Sequence, residues 1–240
     1  MLPPTIGYQC WRNLIVAIVA SVIIAQCGSV WANGVPIGAV PGGGTLTHFE
    51  AFVLAECSPC VRETYSLATF PVAPIKGPDF PRSVGAPGAM TRSGEVVFEL
   101  LRAYPLGHVA RQQFAMRVTL AVTTGAPGQT FLLGAGLVDE SDVPKVASML
   151  AEIVRVVDDA RPDAQLTDIE AHADNLRAGI VLVRGESFAY IQAWSSTDVP
   201  RATLKQVWEL PGFFLPPRDL DALRRGIMQV SERIRQFRAQ

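Results

Sequence analysis

The chain has 240 residues, a formal net charge of -1 and a sequence pI of about 6.3, and 49% of its residues are hydrophobic. This composition excludes a wholly disordered chain, which needs low hydrophobicity and high net charge. The balanced charge argues against nucleic-acid binding, because phosphate contacts call for a basic surface. Removal of a leader would still leave roughly 200 residues, enough for one substantial domain or two small ones.

Residues 1–32 have the pattern of a secretory signal peptide. Arg12 is the only charged residue before an apolar run from Leu14 to Ala25, and Val30-Trp31-Ala32 follows it. Small or medium residues at the first and third of these positions are what a signal peptidase reads. We therefore expect cleavage after Ala32 and a periplasmic or extracellular protein. The alternative is an uncleaved anchor, since residues 14–32 are just long enough to span a membrane.

The segment after the leader predicts a linker and then the first elements of a domain. Residues 33–45 are rich in glycine and proline, which is typical of a flexible linker. The globular domain is expected over residues 46–240. Leu46 to Glu56 shows a period of two with aromatic and branched residues, which predicts a strand. Val61 to Phe70 is predicted as a second strand, with Ser58-Pro59 as the hairpin turn between them.

The cysteines agree with export. Cys10 and Cys27 lie in the leader, so the mature protein would keep only Cys57 and Cys60. A close pair in an oxidising compartment is usually a disulfide, and residues that flank a two-residue turn lie within disulfide range. The alternative is a redox-active pair, because thiol oxidoreductases place a CxxC motif at a helix N-terminus.

Residues 71–94 contain five prolines and four glycines. Neither a helix nor a central strand tolerates that density, so the segment is predicted to be a long loop. Loops of this length are often functional or disordered. Both a docking segment and a plain solvated connection fit the pattern.

The remainder predicts strands and helices in alternation. Three strands are expected first, over Glu95–Tyr104, Phe114–Val122 and Thr130–Val138, and a short helix is the alternative for Glu95–Tyr104. Asp139 to Asp142 then cap a helix with Pro144 in its first turn. Its apolar positions share one face: Val143, Val146, Leu150, Ile153 and Val157.

A second series of elements follows. Gln165–Ala171 is a weak strand, and Leu176–Val183 pairs with Phe188–Trp194 across an Arg184-Gly185-Glu186 turn. Thr203–Leu210 gives no clear signal. Pro216-Pro217 opens the last helix, which has apolar residues every three or four positions: Leu220, Leu223, Ile227, Val230, Ile234 and Phe237.

This order predicts an α+β fold: an antiparallel sheet or sheets with two helices packed on one face. One continuous sheet and two similar strand-strand-helix lobes are both compatible with it. The last helix is expected to cover a sheet of its own domain, and pairing with a partner's helix is the alternative.

No motif assigns a catalytic residue, a cofactor or a metal. His48, His108 and His172 are isolated in sequence, and two cysteines do not complete a zinc site. Neither a nucleophile elbow nor a phosphate-binding loop is present. We therefore expect a non-enzymatic extracytoplasmic binding or accessory protein of the cell envelope, with an unidentified protein partner, acting close to a membrane as a subunit of a complex. The alternative is a thiol–disulfide redox protein that uses Cys57 and Cys60.

Overall fold

Two antiparallel sheets form the centre of the fold. The structure is a computed structural model that describes residues 46–80, 92–123, 129–156, 166–195 and 204–240, with side chains from residue 207 onward in the last range. The first sheet has four strands in spatial order: β1 (Cys60–Val72), β2 (Gly94–Pro105), β3 (Gln113–Thr123) and β4 (Thr130–Asp139). The second is ordered in the same way: β5 (Leu166–Ala173), β6 (Leu176–Val183), β7 (Glu186–Ala193) and β8 (Gly212–Leu215).

Helices precede, separate and follow these sheets. In the described part of the chain these helices are α1 (His48–Ala55), α2 (Val143–Val156), α3 (Leu204–Glu209) and α4 (Leu220–Arg238). Short 3-10 turns lie at Val109–Arg111 and Pro217–Asp219. The predicted α+β class is confirmed, and the two sheets of four strands fit the two-lobe alternative better than one continuous sheet.

Two local predictions, a hairpin turn and a helix, are confirmed by the structure. Arg184 and Gly185 both have positive φ, 51° and 85°, between β6 and β7. Two successive positive φ values are the signature of a type I′ hairpin turn, which glycine favours. The helix predicted after Asp142 is α2. The unassigned stretch Thr203–Leu210 contains the short helix α3.

Each long helix packs on the sheet that it does not directly follow. The helix α2 comes after the first sheet but packs on β5 and β6, whereas α4 comes after the second sheet and packs on β1 and β2. The two helices also pack on each other, and the main core lies between them and both sheets. All six predicted apolar positions of α4 are buried, which confirms that it covers a sheet of its own domain.

Glycines allow the closest contacts in this core. A Cβ at Gly226 of α4 would lie 2.5 Å from a ring carbon of Phe98, so only glycine fits without a shift. On β4, a Cβ at Gly136 would lie 2.1 Å from the carbonyl oxygen of Asn175. The Asn175 N–H donates to the carbonyl of Leu137 over 3.3 Å. The edge strand β4 thereby joins the first sheet to the second.

The region predicted as the first strand is a helix, so that prediction is wrong. The helix α1 begins with a capping box: the Glu50 N–H donates to the Thr47 hydroxyl over 3.2 Å, and the Thr47 N–H donates to the Glu50 carboxylate over 2.8 Å. Asp139 adds a second cap, because its carboxylate accepts from the N–H groups of His48 (2.7 Å) and Phe49 (2.9 Å). In so short a segment, the spacing of the apolar side chains fits the period of a strand as well as that of a helix. The hydrogen bonds at these two caps favour the helix.

Some predictions fall on residues that the structure does not describe. These are the leader over residues 1–32, the linker over residues 33–45 and the buried position of Val157. Residues 81–91 of the proline- and glycine-rich segment also lie outside the described ranges, while residues 73–80 are described and have no regular secondary structure.

Candidate functional site

Cys57 and Cys60 form a disulfide between the end of α1 and the start of β1, with their Cα atoms 4.8 Å apart. The Cys57 side chain is buried in a small apolar cluster with Phe49, Phe52 and Leu101. The prediction that Ser58-Pro59 forms a hairpin turn is wrong, because a helix precedes the cysteines.

The position of this disulfide bears on its chemistry. In thiol oxidoreductases the CxxC motif precedes a helix, whose positive N-terminal end stabilises a thiolate. Here Cys57 directly follows Glu56, the C-cap of α1, so the nearby helix end carries the negative partial charge. Burial of Cys57 also disfavours a thiolate. The arrangement therefore favours a structural crosslink.

A second candidate site is a group of polar side chains on the second sheet. It lies on the face that points away from α2 and α4, which we call the outer face. Sequence analysis did not identify it. Strand register brings its members together, because Arg177 lies opposite Gln192, and Gly179 lies opposite both Glu170 and Tyr190. We call this group the Arg177 cluster: Asp168 and Glu170 of β5, Arg177 of β6, Tyr190 and Gln192 of β7, and Trp208 of α3.

The charge of Arg177 is compensated within the protein. The residue is only 6% exposed, and its guanidinium forms ion pairs with Asp168 and Glu170. Its Nη1 donates to the side-chain oxygen of Gln192 over 2.9 Å. The guanidinium carbon also lies 4.7 Å from the ring centroid of Trp208, a cation–π distance. These contacts attach α3 to the sheet.

Burial shifts the pKa values of two members of the cluster, Asp168 and Tyr190. Burial raises the pKa of Asp168 and outweighs the lowering by Arg177 and by the Tyr190 hydroxyl, which donates to Asp168 over 2.7 Å. Burial and the charge of Asp168 raise the pKa of Tyr190 far above its usual range. Tyr190 therefore stays a neutral donor at physiological pH, which suits a structural hydrogen bond better than acid–base catalysis.

Trp208 carries the one unsatisfied polar group of this site. The side chain is fully buried, and its Nε1–H is the only buried side-chain nitrogen or oxygen of the described residues that lacks a hydrogen-bond partner. Buried polar groups are nearly always paired, since an unpaired one costs about 1–3 kcal/mol. This unpaired donor distinguishes Trp208 from the other polar members of the Arg177 cluster.

Residues 73–80, which we call the strap, cover the aromatic part of the outer face. The Phe80 ring lies 4.9 Å from that of Trp208 and 5.7 Å from that of Phe214. Ile75 packs against the same cluster, and Pro78 is buried. The strap also forms an ion pair with the β6–β7 turn, between Asp79 and Arg184 at 2.5 Å. With the strap in place, β6 is buried at every position.

A smaller charged cluster lies beside the end of α4. Arg102 contacts Glu63 at 2.9 Å, and its guanidinium lies 4.9 Å from the ring centroid of Phe237. Burial raises the pKa of Glu63, but hydrogen bonds from Tyr65, Arg102 and Tyr104 together outweigh it, so the pKa of this carboxyl is lowered. This cluster also pairs its charges internally.

An open groove of about 540 Å³ runs between α2 and α4. Apolar and small side chains line it, among them Pro144, Ala147 and Met228. The charged residues at its rim are engaged within the chain: Glu140 with Arg238, Arg224 with Asp221, and Arg235 with Glu232. The groove offers apolar contact area beside charged groups that already have partners within the chain.

The three histidines lie in separate places. His48 begins α1, His108 lies in the β2–β3 connection, and His172 stacks on Trp194 at 5.9 Å. Within the described ranges, no group of three His, Cys, Asp or Glu residues is placed to hold a metal ion. Among the helices of the described part, none combines the length and apolar character needed to cross a membrane. No protein-family model matches this sequence, and no curated protein matches it.

Proposed function

We propose that this chain is an exported, non-enzymatic binding or accessory protein of the cell envelope, and that it binds a protein partner through the outer face of its second sheet. The observation that carries this proposal is the unpartnered Nε1–H of Trp208, beneath a strap held by side chains. Ligand sites combine aromatic side chains with a few polar groups that fix the orientation of the ligand. The other polar groups of the Arg177 cluster have partners within the protein.

The proposal that the chain is exported rests on the pattern of its leader and is consistent with the disulfide between its cysteines. A signal peptide cleaved after Ala32 would release a domain whose cysteine pair is bonded, as expected in an oxidising compartment. The intact mass of the purified protein tests this cleavage. We expect the mass of a chain that begins at Asn33. A full-length, uncut protein free in the cytosol with reduced thiols would contradict it. An uncut protein held in the membrane would instead favour the anchor formed by residues 14–32.

Site-specific photo-crosslinking tests the binding role. A photoreactive residue at Lys76, exposed on the strap, should give an adduct with a defined envelope protein in the native host. The matched control is Lys145, a lysine on α2 whose side chain is 67% exposed. We expect the adduct at position 76 alone, and we expect Trp208→Phe to weaken it. Equal adducts at both positions, or none at position 76, would contradict the proposal.

The alternative function, thiol–disulfide exchange, requires Cys57 and Cys60 to cycle between oxidised and reduced forms. The negative helix end beside Cys57 speaks against a stabilised thiolate. A measured reduction potential separates this alternative from the binding role.

A further inference from the structure

We infer that the strap occupies a binding surface for an extended, proline-rich segment of a protein partner, and that this partner displaces it. The inference rests on the proposed function and adds the class of partner. It is carried by the chemistry of the strap, by its mode of attachment and by the unpartnered donor of Trp208.

The strap has the composition of a polyproline II segment. Pro74 and Pro78 fix their own φ angles, remove two backbone donors and prevent a strand. Such a segment keeps its carbonyl oxygens free for external donors and loses little entropy when it binds. Aromatic surfaces are its usual receptors, and the rings of Trp208 and Phe214 form such a surface around Phe80.

The strap is held by side chains rather than by its backbone. No backbone hydrogen bond links residues 73–80 to any other residue that the structure describes, whereas the preceding strand β1 is paired along its length. The Asp79–Arg184 ion pair is open to solvent, with 80% and 57% of the two side chains exposed. Exposed ion pairs contribute little. The strap is therefore able to leave without breaking a backbone hydrogen bond to any other described residue.

A partner has a hydrogen bond to gain that the strap does not make. The Trp208 Nε1–H is buried and unpartnered while the strap is bound. A proline-rich segment that places a carbonyl oxygen at this donor satisfies it, which favours the partner over the strap. The strap also indicates what else the partner carries: an aromatic residue in the place of Phe80, preceded by an acidic residue that faces Arg184.

Peptide binding to strap variants tests the inference. The probe is a fluorescent peptide with the sequence of residues 73–80, and the protein is purified from cells that express the full chain. We expect Phe80→Ala to bind this peptide at least about tenfold more tightly than the wild type, because a tethered competitor at high effective concentration has been weakened. The matched control is Phe131→Ala, which truncates a ring that is 57% exposed on β4 and should leave the affinity unchanged.

Two outcomes would overturn the inference. One is equal peptide affinity for Phe80→Ala and the wild type. The other is equally tight binding of a peptide in which both prolines are replaced by alanine, which would exclude a proline-rich partner. A crosslinked adduct at Lys76 that persists in either case would leave the proposed function standing with a different class of partner.

A second variant keeps the test valid if Phe80→Ala does not fold. Asp79→Asn removes the solvent-exposed ion pair to Arg184 and leaves the buried ring in place. We expect a gain in peptide affinity of about twofold to threefold, in line with the small contribution of exposed pairs. An unchanged affinity would contradict the inference.

Discussion

The hydroxyl of Tyr190 donates to Oδ1 of Asp168 over 2.7 Å, while Arg177 forms an ion pair with the other oxygen of the same carboxylate. One carboxyl group of β5 thereby connects β6 and β7 on the outer face. Because Trp208 packs on Arg177 and Tyr190, this contact also supports the surface beneath the strap.

The pKa of Asp168 predicts a specific pH dependence of stability. Burial raises this pKa in the folded state, so the folded protein holds the proton more tightly than the unfolded chain. The contribution of Asp168 to the unfolding free energy is therefore greatest below its unfolded pKa of about 3.9 and is lost as the pH rises through the folded pKa. Urea unfolding measures the unfolding free energy of the wild type and of Asp168→Asn at each pH. We expect the wild-type value minus the variant value to fall as the pH rises from the unfolded pKa to the folded pKa, and to stay level above it. A difference that rises with pH would contradict this.

Glu63 supplies a control of opposite sign. Burial raises its pKa, but three hydrogen bonds outweigh burial, and the folded pKa is lowered. Its contribution is present above the unfolded pKa of about 4.3 and is lost as the pH falls through the folded pKa. The wild-type unfolding free energy minus that of Glu63→Gln should therefore rise with pH. Slopes of the same sign for Asp168 and Glu63 would contradict the opposite pKa shifts of the two carboxyl groups.

Arg177→Ala should lower the unfolding free energy by about 3–5 kcal/mol, because it leaves the largely buried carboxylate of Asp168, 17% exposed, without its cation. The matched control is Arg155→Ala on α2, which removes an exposed pair with Glu152 and should cost about 0–1 kcal/mol. Urea unfolding of both variants measures the difference. Similar costs for the two arginines would mean that the Arg177 cluster is open to water.

The disulfide is expected to behave as a crosslink. Replacing both Cys57 and Cys60 by serine should cost about 2 kcal/mol, since the closed loop is short. A structural bridge should have a reduction potential below about −300 mV, and the protein should not reduce insulin. A higher potential together with insulin reduction would support the redox alternative in place of the proposed function.

Asp139 is expected to hold α1 in place. Asp139→Ala removes the acceptors of the His48 and Phe49 N–H groups and should cost about 1–2 kcal/mol. Amide hydrogen exchange over residues 49–56 should rise more than exchange in β3. Glu140→Ala serves as the control, because it removes only a surface pair with Arg238. Unchanged exchange in α1 would show that the Thr47 capping box is sufficient.

The strands and long helices were predictable because their side-chain patterns are long and their turns are distinctive. The helix α1 was not, since its eight residues are too few to separate one period from the other. The local signal was Thr47 followed by Glu50, a capping box that sequence analysis overlooked. The second cap, Asp139, lies 90 residues from Phe49 in the chain, and no local pattern shows it.

The Arg177 cluster was partly within reach of the sequence. The hairpin turn at Arg184-Gly185 fixes the register of β6 against β7, and this register places Arg177 opposite Gln192. The sequence does not show that α3 and the strap cover the outer face, because these are tertiary contacts between segments that are distant in the chain. A buried charge is expected only once that cover is known.

The indole N–H signal of Trp208, observed by NMR in ¹⁵N-tryptophan-labelled Phe80→Ala protein, tests the central claim most directly. A saturating amount of the peptide with the sequence of residues 73–80 should move this proton downfield as a carbonyl oxygen of the peptide accepts its hydrogen bond, while the signal of Trp194 stays in place. A Trp208 signal that does not move at saturation would contradict the claim that this buried donor belongs to a binding surface.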